Sequence, residues 1–216
     1  MDIYAKLGQL KSIQENFDIF YCGWMENKCR EYDTNFLSAY YDVYFSRYVT
    51  YNAIYNTLTN TLEQFEVLSR KKDKTGKEID RGDKIKAIDI MSKYIQNTNL
   101  LIFFSHPEVV EDIKLIVEII ENKEFGIIYK YGEPQPLEDE RLKVQLSNTA
   151  EKIKIKAILT LLYSIRCNMF HGSKNFEESQ KQILKPLNRL LLNVVKISNE
   201  EFRHQIKILE EKYLKS

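Results

Sequence analysis

The sequence predicts an all-α protein, an up-and-down bundle of at least six helices, and three observations carry that prediction. An apolar stripe runs through residues 41–65, where Tyr41, Tyr44, Tyr48, Tyr51, Tyr55, Leu58, Leu62 and Phe65 follow one another at alternating steps of 3 and 4. Seven glycines and four prolines in 216 residues supply too few tight reversals for an all-β chain. Helix punctuation divides what remains: a proline restart at Pro107, a glycine stop at Gly172 and a Ser-x-x-Glu capping box opening at Ser198.

Taken in order, residues 3–20 form the first helix and a less regular segment runs on to Asp33. The tyrosine stripe makes residues 35–68 one long helix, with most tyrosine rings packed inward and their hydroxyls reaching a polar partner or the surface. Asn52, four residues after Tyr48, sits beside the stripe either as a buried hydrogen-bonding residue or as one that reaches, with Tyr48, into a site. Residues 70–84 are a charged, solvated loop without the Gly-Lys-Ser/Thr ending of an NTPase phosphate loop. A helix over 84–103 stops at Ser105-His106, and Pro107 starts the next, which runs to Asn122. Residues 123–136 are irregular, punctuated by Pro134 and Pro136, and the consecutive Glu138-Asp139-Glu140 form a solvated turn rather than a metal site. Three helices finish the chain, over 149–170, 176–197 and 198–213. No repeat or boundary divides the sequence, so residues 1–216 read as a single domain.

Composition narrows the class. With 44% hydrophobic and 29% charged residues the chain can bury a core and remain in solution. Its start lacks the continuous apolar stretch of a secretion signal, and no apolar run approaches the ~20 residues that span a bilayer. Three scattered cysteines argue against a disulfide framework and for a reducing compartment, so a cytoplasmic location is expected, with no membrane contact. No Cys/His spacing resembles a zinc site, and neither metal nor other cofactor is expected. Residues 151–216 hold 13 Lys/Arg against 7 Asp/Glu, a net +6, while residues 1–150 hold 19 against 24, a net −5. The basic third is the one that suits a phosphate-bearing ligand.

That third also carries the densest chemistry. Arg166, Asn168 and His171 gather in the last turns of an otherwise apolar helix, where an unpartnered polar group costs roughly 2–7 kcal/mol to bury. They are therefore paired or face a cleft. Arg166 and His171 stand ~140° apart on an ideal helix, so they converge only if His171 leaves the helical path beyond Phe170. A histidine between the negative end of a helix dipole and an arginine titrates near neutrality, as acid–base catalysis requires.

The segment IRCNMFHGSK, residues 165–174, resembles the Arg-(polar)-x3-to-5-His motif of the HEPN superfamily, helical domains found in prokaryotic toxins and antiviral systems. SRYVTYNAIYN, residues 46–56, is similar to an upstream helix of some HEPN-like proteins. The local match covers about 25 residues, with a looser likeness in helical layout. In the family the position after the arginine is commonly Asn, His or Asp; here it is Cys167, with Asn168 one place later.

The resemblance implies an HEPN-like bundle and a metal-independent endoribonuclease. A 2′-hydroxyl attacks the neighbouring phosphodiester and leaves 2′,3′-cyclic phosphate and 5′-hydroxyl ends. His171 moves protons and Arg166 stabilises charge on the phosphorus oxygens. Lys174 holds a flanking phosphate and Asn168 orients a catalytic group. It further implies an RNA substrate, a homodimer that lines one cleft with two Arg/His sets, and a toxin or antiviral context with an antitoxin or activating partner. Three other accounts fit the same residues: a non-catalytic nucleotide- or RNA-binding partner module, a structural helical adaptor, and an Arg166 paired with a carboxylate while His171 merely ends a helix. A Cys167–His171 nucleophile is disfavoured, because the helix C-terminus opposes a thiolate.

Overall fold

The tyrosine stripe becomes the buried face of α2 (Leu37–Gln64) in the computed structural model, which describes residues 3–28, 36–170 and 180–215. Tyr44, Tyr48, Tyr51, Tyr55, Leu58, Leu62 and Phe65 are all buried, and only Tyr41 at the N-terminal end stays half-exposed. Tyr44 donates its hydroxyl to the Leu162 carbonyl at 2.7 Å, and Tyr51 donates to the Ala87 carbonyl. The helix ends at Gln64 instead of continuing to residue 68. Glu66 takes a left-handed φ of 58°, and the Val67 N–H turns back to the Leu62 carbonyl at 2.9 Å.

Around α2 the remaining elements follow in chain order. Helix α1 (Ile3–Asn27) precedes it and is longer than expected, its helical path absorbing much of the segment expected to be irregular. After the charged loop, a π-helical stretch, Ile85–Ile90, runs directly into α3 (Met91–Tyr94), then come α4 (Asn97–Ser105) and α5 (Pro107–Glu121), with Pro107 at its first position. A two-residue hairpin pairs β1 (Tyr129–Lys130) with β2 (Glu133–Pro134). Its turn, Tyr131-Gly132, has positive φ at both residues, 53° and 83°, as a two-residue hairpin of right-handed twist demands. Helices α6 (Pro136–Leu146), α7 (Glu151–Phe170) and α8 (Lys181–Leu214) complete an all-α bundle with one continuous apolar core. Helix α2 packs most extensively on α8, and α5 and α1 also lie against α8.

Three expectations need correction. The capping box at Ser198 opens no helix, because α8 continues unbroken for 34 residues. The inward stripe Leu190, Leu191, Val194 runs on through Ser198, Phe202, Ile206 and Leu209, all buried, and nothing before Ser198 turns the chain. The glutamate of that box, Glu201, is buried and takes the Gln96 N–H at 3.1 Å, so it satisfies the start of α4 instead of its own helix. The single helix expected over 84–103 is broken at Ile95–Gln96, where Ile95 leaves the helical region at ψ 121° and Gln96 is extended. Lys152 of α7 donates to the Ile95 carbonyl and, at 3.3 Å, to the Ser92 carbonyl, so α7 and α8 together hold the break. Burial pushes the Lys152 ammonium below its ordinary pKa, against the pull of Glu201. Finally, Glu138-Asp139-Glu140 form no solvated turn but the first turns of α6, a helix the sequence did not announce. Asp139 is buried and accepts the N–H groups of Ile127 at 3.1 Å and Ile128 at 2.8 Å.

Among the described residues no helix is long and apolar enough to cross a membrane.

Candidate functional site

Arg166 stands in the last turns of α7 because Ile158, Leu159, Leu162 and Ile165 turn that helix's apolar face into the core. The arginine follows at the edge of the stripe, half-buried, beside α2. Its guanidinium lies over the Tyr48 ring, 5.8 Å from the ring centroid, an arrangement that favours the cation. Its Nη2 is 3.9 Å from Asp83 Oδ2, at the end of the charged loop, and its Nη1 is 3.9 Å from Cys167 Sγ. The Arg166 and Asp83 side chains keep 24% and 40% of their surface in solvent, so water screens the pair. Burial works against the Arg166 charge, but Cys167, Tyr48 and Asp83 outweigh it, and the guanidinium sits above its ordinary pKa.

A cavity of about 400 Å³ opens between α1, α2 and α7. Arg166 and Met169 line it from α7, Tyr48 and Asn52 from α2, and Phe20 from α1, so Arg166, Tyr48 and Asn52 share one wall system. The hydroxyl chemistry around it is suppressed. Burial pushes Tyr48 and Tyr55 well above the ordinary phenol range, with neighbouring tyrosines adding to the first and the Asp83 carboxylate to the second. Tyr163 is pushed up to about 12, chiefly by burial, with Cys167 and Asp83 contributing. These phenols therefore stay neutral at any physiological pH and offer walls and dipoles, not bases.

Asn168 is not part of this cavity. Two positions beyond Arg166 it lies roughly 200° around the helix, and its Nδ2 donates to the Ile127 carbonyl at 2.7 Å. With Asp139 it clamps one stretch of backbone, Ile127–Ile128, from two helices. It does not reach the guanidinium to orient it. His171 and Lys174 lie outside the described residues, as does Cys29; Cys22 is exposed and Cys167 half-buried. Among the described residues no group of three or more His, Cys, Asp or Glu side chains gathers as metal ligands.

The sequence reading passed over three residues that shape this site. Asp83 pairs with Arg166 from a loop that looked merely solvated. Asn56 donates from Nδ2 to Asn52 Oδ1 at 2.6 Å, and Lys86 donates to Asn56 Oδ1 at 2.9 Å. The spacing Asn52-x-x-x-Asn56 was the available signal, since residues four apart meet on a helix. Compared with protein-family models, with curated proteins and with solved structures, the chain finds no match in any of the three.

Proposed function

We propose that the protein is a metal-independent endoribonuclease of the HEPN kind, with Arg166 and His171 as its reacting pair. The single observation that carries the reading is the placement of Arg166. Among the described residues it is the one cation lining the aromatic cavity, and it stands in the final turns of the helix that leads, five residues on, to His171. In the proposed reaction the ribose 2′-oxygen attacks the adjacent phosphorus and loses its proton to a base. The P–O5′ bond breaks and the 5′-oxygen takes up a proton. His171 serves at one of these proton transfers, and the fork of the Arg166 guanidinium holds the phosphorus oxygens as charge builds on them. A second copy of the chain supplies the other histidine, which makes the working unit a homodimer. Lys174, close after His171 in the sequence, adds a cation for a flanking phosphate. The setting proposed is a prokaryotic toxin or antiviral system, with an antitoxin or activator as partner.

A second reading has its own support. Asp83 already lies against Arg166, and Asn168, the polar neighbour that would orient a catalytic group, is committed to Ile127. The second suits a module that binds a ribonucleotide phosphate without cutting, and in either reading the phosphate displaces Asp83 from Arg166. Incubation with mixed RNA in EDTA separates the two. Cleavage that leaves cyclic-phosphate ends and is lost in both Arg166→Ala and His171→Ala supports the nuclease. Binding that needs Arg166, without cleavage by the folded dimer, assigns the module instead.

A further inference from the structure

One wall of the cavity has no role in the reaction above. It begins at Lys86, a nearly buried ammonium with 4% exposure, whose Nζ donates to Asp80 Oδ2 and to Asn56 Oδ1, each at 2.9 Å. An ammonium only donates, so it dictates which end of the Asn56 amide is oxygen. Asn56 must then present Nδ2 to its neighbour, and it donates to Asn52 Oδ1 at 2.6 Å and to the Asn52 backbone carbonyl at 3.0 Å. Asn52 is fixed in turn. Its oxygen is taken, and its Nδ2 carries no hydrogen bond among the described residues while the residue lines the cavity. The relay thus orients the Asn52 amide, holding Oδ1 toward Asn56 and leaving Nδ2 as the end that can donate into the cavity.

Resting on the ribonucleotide reading of the Arg166 site, we propose that this cavity holds the base of a ribonucleotide and selects guanine or uracil over adenine or cytosine through Asn52 Nδ2. Phe20, Phe45 and Tyr48 line the cavity and give it apolar aromatic walls against which a base can pack. The volume, about 400 Å³, falls within the range of small-molecule sites. A keto oxygen on the base edge accepts from an amide NH2. With the purine 6-position or the pyrimidine 4-position set against Nδ2, guanine and uracil present that oxygen, whereas the amino groups of adenine and cytosine place a donor against a donor and leave both unpaired. The two-bond contact by which an asparagine reads adenine needs its side-chain oxygen turned to the base, and here that oxygen is held toward Asn56. The phosphate carried by the same nucleotide is the anion for Arg166.

The test is titration calorimetry of the full-length chain with GMP, UMP, AMP and CMP, alongside base mapping of bound and cut positions in a mixed-sequence RNA. GMP and UMP should bind about tenfold or more tightly than AMP and CMP. Asn52→Asp keeps the shape and still accepts from Asn56, but turns an acceptor to the cavity, so it should reverse the order. Arg166→Ala should weaken all four alike. A keto preference seen with mononucleotides marks a free nucleotide as the occupant, and one seen only in the mapped RNA marks a strand; either supports the proposal. Four equal affinities, or an unchanged order in Asn52→Asp, overturn the base selection and leave the nuclease reading intact. If the folded protein takes neither nucleotide nor RNA, the ribonucleotide reading falls and the base selection falls with it.

Discussion

Removing the Asp139 carboxylate should cost about 3 kcal/mol, although the residue sits in what reads as a charged surface run. Its two oxygens take the Ile127 and Ile128 N–H groups, and Asn168 takes the Ile127 carbonyl from the other side. In Asp139→Ala both N–H groups lose their acceptor. The one on fully buried Ile127 pays the whole desolvation cost of an orphaned donor, roughly 1–3 kcal/mol, while half-buried Ile128 recovers part through water. Losing a carboxylate from the first turn of α6 removes a further ~0.5 kcal/mol of dipole stabilisation, which the better helix propensity of alanine offsets. Asp139→Asn should fall about midway, since one end of its amide still accepts. Urea denaturation reads the loss as a lower midpoint at unchanged slope, and amide exchange should quicken at Ile127 and Ile128. Paired with Asn168→Ala, the cycle should show coupling of ~0.5 kcal/mol or more, because both residues hold one stretch of backbone. A change under ~0.5 kcal/mol in Asp139→Ala, with both amides as protected as before, would refute the clamp.

Other expectations test the tyrosine face and the helix break. Tyr48→Phe should be neutral or stabilise the fold by about 1 kcal/mol in thermal melts, because its hydroxyl is buried with no hydrogen-bond partner among the described residues. The ring over Arg166 remains, so RNA binding should not change. Alkali should act in the opposite direction. Tyr44, Tyr48, Tyr51 and Tyr55 have pKa values raised by burial, so the unfolded chain releases its phenolic protons first. Stability is therefore whole below pH ~10 and falls above it by about 1.4 kcal/mol per pH unit for each of these tyrosines. Tyrosinate absorbance should appear together with loss of helical circular dichroism; free titration of all fourteen tyrosines in the native state would contradict this packing. Glu201→Ala should cost about 1–3 kcal/mol in denaturant titrations by orphaning the Gln96 N–H, and Glu201→Gln about half that.

What could be read from the sequence were features with local causes. The stripe of α2 is a periodicity within one helix, and Pro107 marks the start of α5 through its own missing N–H. The break at Ile95–Gln96 has no such local mark. It is held by Lys152 and Glu201, 57 and 105 residues away, which a window of a dozen residues does not include. The Ser198 box misled for a related reason: a serine and a glutamate three apart cap a helix only where the chain has already turned, and here packing against α2 keeps it straight. At the site, Arg166 and Tyr48 could be picked out because each interrupts or lines an apolar stripe. That Asp83 and the Lys86–Asn56 relay join them depends on how the 65–84 segment folds back onto α2, which no single-helix pattern records.

The partnership of α2 with α8 also sets the order in which the molecule can be assembled on the ribosome. More than a hundred residues separate Gln64 from Lys181, so α2 leaves the exit tunnel long before the helix it packs on most extensively has been made. At ordinary elongation speeds that interval is on the order of 10 s. Collapse of a short chain takes microseconds, so the nascent protein passes this whole period with α2 lacking its largest packing partner. Until α8 is complete, α2 can close only against the elements made before α8, namely α1, α7 and the Ile85–Ile90 stretch.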